Sequence, residues 1–154
     1  MADPFPPMAD LVPHRESMRL LSSVLEHSEH RTVCAVEVGT DSPFLTGDGG
    51  VPVFVGVEYL AQGVAAHAGL RGWVKGEPPR VGFLIGSRRL DVRGHADFRV
   101  GQRLIVEVVR AWGEEELAMF SCRLVDADSQ VVVLEGTLSV VQPRSLERFG
   151  VRPR

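Results

Sequence analysis

The chain has 154 residues, of which 44% are hydrophobic, a length that fits one domain with a real core and leaves little room for a second. Its formal charge of −3, with both signs mixed along the chain, argues against a general nucleic-acid surface. The arginines are scattered, not gathered into a run.

Residues 1–10 read as an arm, 11–143 as the domain and 144–154 as a solvated tail. Met1 to Pro13 has acidic residues and prolines where a signal peptide would have a basic start and an apolar run. Arg19 to Leu25 and Arg31 to Val38 look like paired strands around a polar turn from Glu26 to His30. In the second strand Cys34, Val36 and Val38 share one face, with Arg31, Val33, Ala35 and Glu37 on the other. Thr40 to Gly50, with Pro43 and the run Gly47-Asp48-Gly49-Gly50, is a sharply turning loop.

An apolar helix from about Val53 to Trp73 follows, roughly 30 Å long, broken by Gly76 and Pro78-Pro79. Val51 to Leu70 is long enough to span a bilayer. It also carries Glu58, Gln62 and His67, each costly in hydrocarbon, so a buried helix explains it better than a membrane span. Val81 to Val92, Gln102 to Ala111, Leu117 to Asp126 and Val131 to Val141 read as strands. Short connections at Gly113 to Glu115 and Asp126 to Ser129 suit hairpins. Cys34 and Cys122 sit alone in alternating apolar segments, which fits a reduced, buried pair in a cytoplasmic protein.

A helix apolar nearly all round must be buried on most of its surface. Gly56, Gly63 and Gly69 each cost it about 1 kcal/mol of propensity while letting a sheet come close. The expected architecture is therefore α+β, an antiparallel sheet wrapped around one long central helix.

Glu58 is the sole carboxylate inside that helix, and buried glutamates are rare without pairing or function. The competing reading is a structural Glu58 held by Gln62 and backbone groups. Gln62, four residues on, shares its face and can bond Glu58 or hold a substrate amide. His67 falls nearly opposite Glu58 around the helix and reads as a packed or interface histidine. His27 and His30 with Glu26 and Glu29 resemble metal ligands only weakly, and a solvated turn is the better reading. His95 sits in a Gly/Asp loop and shows nothing special. Backbone N–H groups near Val53 to Gly56 could polarise a thioester carbonyl, and Gly56 would admit an acyl chain or pantetheine arm. Arg80, Arg88 and Arg89 are candidates for phosphate contacts.

Several motifs in order resemble a known family. Pro13-His14-Arg15, Pro43-Phe44-Leu45-Thr46-Gly47 and Glu58-Tyr59-Leu60-Ala61-Gln62 are similar to signatures of the FabA/FabZ-type 3-hydroxyacyl-carrier-protein dehydratases. Val55 to Gln62 together with Pro78 to Leu84 looks most like the ApeP-like branch linked to aryl polyene synthesis. The resemblance covers about Leu11 to Gln142. It implies a hotdog fold, no metal or organic cofactor, and a substrate carried on phosphopantetheine by acyl carrier protein or coenzyme A. It implies Glu58 as the helix acid of a composite dimer, either a homodimer or a heterodimer with another hotdog subunit. Gly56, Gln62 and Gly82 are the candidate substrate contacts.

The chain departs from that pattern where Asp48 occupies the expected loop histidine position, with no histidine between His30 and His67. His14 folded into the site, Asp48 as base, or a partner subunit could supply the missing group. The functional readings are a dehydratase, a hotdog thioesterase, or a non-catalytic partner of an active subunit.

Overall fold

A helix without a polar face holds together only if other elements cover it, and the architecture follows from that requirement. The computed structural model describes residues 3–78, 82–94, 96–114 and 116–143. In chain order these form β1 (Ser23–His27), β2 (Arg31–Glu37), β3 (Gly50–Val51), α1 (Gly56–Val74), β4 (Phe83–Val92), β5 (Phe98–Arg99), β6 (Arg103–Glu114), β7 (Leu117–Asp126) and β8 (Val132–Val141). Short 3-10 turns precede them at Met8–Asp10 and Glu16–Met18 and lead into the helix at Val53–Val55. Six strands form one antiparallel sheet in the order β1-β2-β6-β7-β8-β4, and β3 pairs with β5 beside it.

The sheet wraps the helix as expected. Leu104, Val106 and Val108 of β6, Phe120, Cys122 and Leu124 of β7, and Leu134 and Leu138 of β8 are buried with Leu60, Val64 and Leu70 of α1 in one core. By length and composition Val53–Val74 could cross a membrane, but here the sheet supplies its apolar surroundings. Gly63 is where the helix meets β6 most closely, since an added Cβ would lie 2.5 Å from a Val106 methyl. The helix ends in a Schellman motif: Gly76 takes φ 73°, its N–H bonds the Trp73 carbonyl, and the Glu77 N–H reaches back to that of Gly72.

Three features differ from expectation. The first strand begins at Ser23, four residues later than the apolar pattern suggests, because Met18 and Leu20 bond to a helix side chain and not to a strand. Second, β2 is buried on both faces, with Val33 and Ala35 covered as well as Cys34 and Val36. Its outer face carries the ion pairs of Glu107, which stands opposite Val33, with Arg31 and Arg123. Third, β6 runs through Gly113 to Glu114, so two of the three residues expected in the hairpin connection belong to the strand. The cysteines are free and buried as expected, and burial pushes both thiols up to about 12. The expected solvated tail, residues 144–154, lies outside the described residues.

The N-terminal arm is part of the core. Met8, Leu11 and Val12 are buried, and Phe5 packs against them. Leu11 crosses the helix directly over Gly69, where an added Cβ would collide with the Leu11 carbonyl oxygen. Gly69→Ala gains about 1 kcal/mol of helix propensity. The clash with backbone outweighs it, and a net loss of about 1–3 kcal/mol is expected as a lower urea midpoint at unchanged slope. An unchanged or raised midpoint would show that the arm does not rest on the helix.

Candidate functional site

Glu58 lies in the first turn of α1, and its Oε1 is 3.6 Å from Nε2 of His14. The two residues are far apart in sequence, and the segment between the arm and β1 brings them together. Leu11 and Val12 anchor one end of that segment in the core. The other end is tied to Gln62, which donates from Nε2 to the Met18 carbonyl at 2.6 Å and accepts the Leu20 N–H at 2.8 Å. The chain arches between these anchors and carries His14 over the helix.

Gln62 also donates to Glu58 Oε1 at 3.0 Å. Its amide is fully buried, and both its N–H donors and one lone pair of its oxygen go to protein groups, so of its two expected roles it takes the one of holding Glu58. Both contacts to the carboxylate fall on Oε1, and Oε2 makes none among the described residues. Glu58 itself is not sealed in the core as its apolar helix suggests. Its side chain is 36% exposed and that of His14 29%, because a cavity opens along this side of the helix.

The cavity measures about 660 Å³, within the range of small-molecule sites. Pro13, His14 and Glu58 line one end, and Gly82, Leu84 and Phe120 belong to its walls. Gly82, one of the candidate substrate contacts, is thus among the lining residues. Gly56 does not line the cavity. It is buried against Leu124 and Leu134, and an added Cβ would come within 2.9 Å of the Leu124 side chain, so packing explains the glycine.

Asp48 is exposed in the turn closed by the bond from Gly49 N–H to the Thr46 carbonyl, away from the Glu58 cavity. The backbone donors expected ahead of the helix are partly used. The Val55 N–H bonds the Pro52 carbonyl, and the Gly56 N–H turns back to Val53 and Phe54. Arg88 and Arg89 lie on exposed β4, where Arg89 pairs with Asp91. Arg80 and His95 lie outside the described residues.

The histidine and glutamate cluster of the β1–β2 turn is divided. Glu26 pairs with Arg31, His30 stays exposed near Glu29, and His27 turns inward. His67 is packed as expected. The Thr32 hydroxyl lies 2.8 Å from Nδ1 of His67 and 2.8 Å from Nδ1 of His27. One hydroxyl proton serves both contacts, so one neutral ring accepts from Thr32 while the other donates to it. Burial lowers the His67 pKa to about 4, and the charges of His27, Arg71 and Arg110 act in the same direction. His27 is lowered too, first by burial and then by Arg71.

His67 thus binds its proton less readily when folded than when unfolded. Its contribution to stability is complete above about pH 6.5 and is lost as pH falls towards 4, by about 3 kcal/mol. His67→Gln, whose amide can still bond Thr32, should show a shallower loss of stability over that interval in denaturant titrations. Parallel pH profiles for the two proteins would refute the assignment.

A family model described as ApeP-like, ApeP dehydratase, matches residues 6–150. A chain of the dehydratase heterocomplex ApeI:P from Xenorhabdus doucetiae superposes with a TM-score of 0.86 at 26% identity, covering 95% of this chain and 97% of that one. The PaaI protein of the E. coli phenylacetic acid degradation operon matches with a TM-score of 0.55 at 11% identity, over 79% of this chain and 82% of that one. A hypothetical thioesterase from Streptococcus pneumoniae, solved with coenzyme A, gives 0.55 at 10%, over 79% and 84%. These last two share the fold, a hotdog arrangement of sheet and helix. No curated protein sequence matches the chain.

Proposed function

Because the chain belongs to the ApeP-like dehydratase family, we propose that it removes water from a 3-hydroxyacyl thioester borne on phosphopantetheine, with Glu58 and His14 as the reacting pair. The observation that carries this reading is their approach to 3.6 Å at one end of a cavity large enough for a thioester arm. A neutral His14 takes the α-proton of the substrate, and protonated Glu58 gives its proton to the departing 3-hydroxyl. The C2–H and C3–O bonds break, the C2–C3 double bond forms, and one water leaves. The pair then stands as imidazolium and carboxylate, close enough for the proton to pass back to Glu58. Of the three sources for the missing loop histidine, this geometry favours His14.

The carrier is an acyl carrier protein of a fatty-acid or polyene type of synthesis in the cytoplasm. A second hotdog subunit is proposed as partner, in keeping with the heterocomplex in which the similar Xenorhabdus chain was solved. β4 is one of the two outer strands of the sheet, and Phe83, Leu84, Ile85, Leu90 and Val92 stand exposed along it. A long apolar edge of this kind is a site for strand pairing with another chain.

The protein, alone and mixed with a second dehydratase subunit, is to be incubated with a 3-hydroxyacyl carrier protein and the product weighed. Dehydration leaves the thioester intact and lighter by one water, whereas a thioesterase releases the acyl group. Glu58→Gln and His14→Gln should each lower turnover by about 10²–10⁴-fold while unfolding midpoints stay close to wild type. Unchanged rates in either variant would remove that residue from the reaction.

A further inference from the structure

Arg71, Lys75 and Arg110 line the cavity at its end away from Glu58, where Glu77 and Glu116 also line it, and none of the three cations enters an ion pair among the described residues. By contrast Arg31, Arg93 and Arg123 each meet a carboxylate. Arg71 and Arg110 are only partly exposed, and a guanidinium withdrawn from water without an anion carries a desolvation cost. The position of Arg110 is built into the sheet. β6 bulges between Arg110 and Trp112, a distortion that re-aims side chains, and the missing Cβ of Gly113 leaves room for the guanidinium. His67 and His27 lie in the positive field of this end: Arg71 lowers the pKa of both, and Arg110 that of His67.

Between the two ends the helix presents Ala61, Ala65 and Ala68 to the cavity, side chains small enough to leave space for a slender chain. Arg71 follows Glu58 by thirteen residues, or about 20 Å along the helix axis, and its side chain leans back towards the N terminus. A phosphopantetheine arm has about thirteen bonds between sulfur and phosphorus, roughly 15 Å when extended at ordinary backbone geometry. The arm is about 5 Å shorter than the axial separation, a gap that the long Arg71 side chain can span.

We propose that Arg71, Lys75 and Arg110 form an anion subsite that receives the phosphate of a phosphopantetheine arm whose thioester lies at His14 and Glu58. This rests on reading the cavity as a site for a phosphopantetheine-borne thioester. It moves phosphate recognition away from Arg88 and Arg89 of the edge strand, which do not line the cavity.

The test is equilibrium binding of pantetheine and 4′-phosphopantetheine to the full-length protein by calorimetry, with no turnover involved. Wild type should bind the phosphorylated probe roughly tenfold more tightly, as charge-assisted bonds to one phosphate would give. Arg71→Gln and Arg110→Gln, made separately and together, should shrink that ratio towards one while pantetheine affinity holds. Retained pantetheine affinity also shows that the variants are folded. Arg89→Gln should keep the full preference. A wild-type protein indifferent to the phosphate, or a preference that survives in the double variant, overturns the subsite. A protein that binds with the expected preference yet fails to dehydrate keeps the subsite and loses the reaction.

Discussion

The side-chain amide of Gln62 is the constraint from which the site follows. It is fully buried in a helix with little other polar surface, and each unsatisfied end would cost about 1–3 kcal/mol. The fold satisfies it with the Met18 carbonyl, the Leu20 N–H and the Glu58 carboxylate. Those bonds fix an irregular stretch of backbone against the helix and orient the carboxylate in the same act. His14 reaches Glu58 because the chain on either side of it has nowhere else to go.

The same economy of polar groups governs the helix. Its glycines are poor helix formers, but Gly56 admits the leucines of β7 and β8, Gly63 admits β6, and Gly69 admits the Leu11 backbone. Close approach on several sides compensates for weak intrinsic propensity, so helix and sheet stabilise one another. Where the sheet does not cover the helix, the small side chains at 61, 65 and 68 leave a cavity instead of a contact.

Patterns with a short period were legible in the sequence. The long helix, β2 and the strands β4, β6, β7 and β8 all follow from apolar spacing, and Glu58 with Gln62 follows from their four-residue separation. The late start of β1 was hidden because alternation continues through Leu20 and Leu21, while Gln62 decides where pairing begins. The two-residue strands β3 and β5 have no period to detect. The meeting of His14 with Glu58 depends on a segment of no regular structure; only the family resemblance pointed to His14. Arg71, Lys75 and Arg110 were passed over because they come from a drifting helix stripe and a bulged strand, and no spacing rule joins those. The exposure of Glu58 was misjudged for a related reason: composition reports that a helix is apolar, but not where its cover is missing.

The cavity and the sheet edge share a wall. Gly82, Phe83 and Leu84 line the cavity, and Phe83 and Leu84 also open β4, an outer strand of the sheet. Residues on both faces of that strand are exposed, which leaves the outer side of the cavity wall in water. A chain that pairs along β4 would therefore cover an aggregation-prone edge and shut water from the Glu58 cavity in one step. On the proposed reading, in which His14 and Glu58 of one chain are the reacting pair, such a partner would supply the dry enclosure and not a missing acid or base.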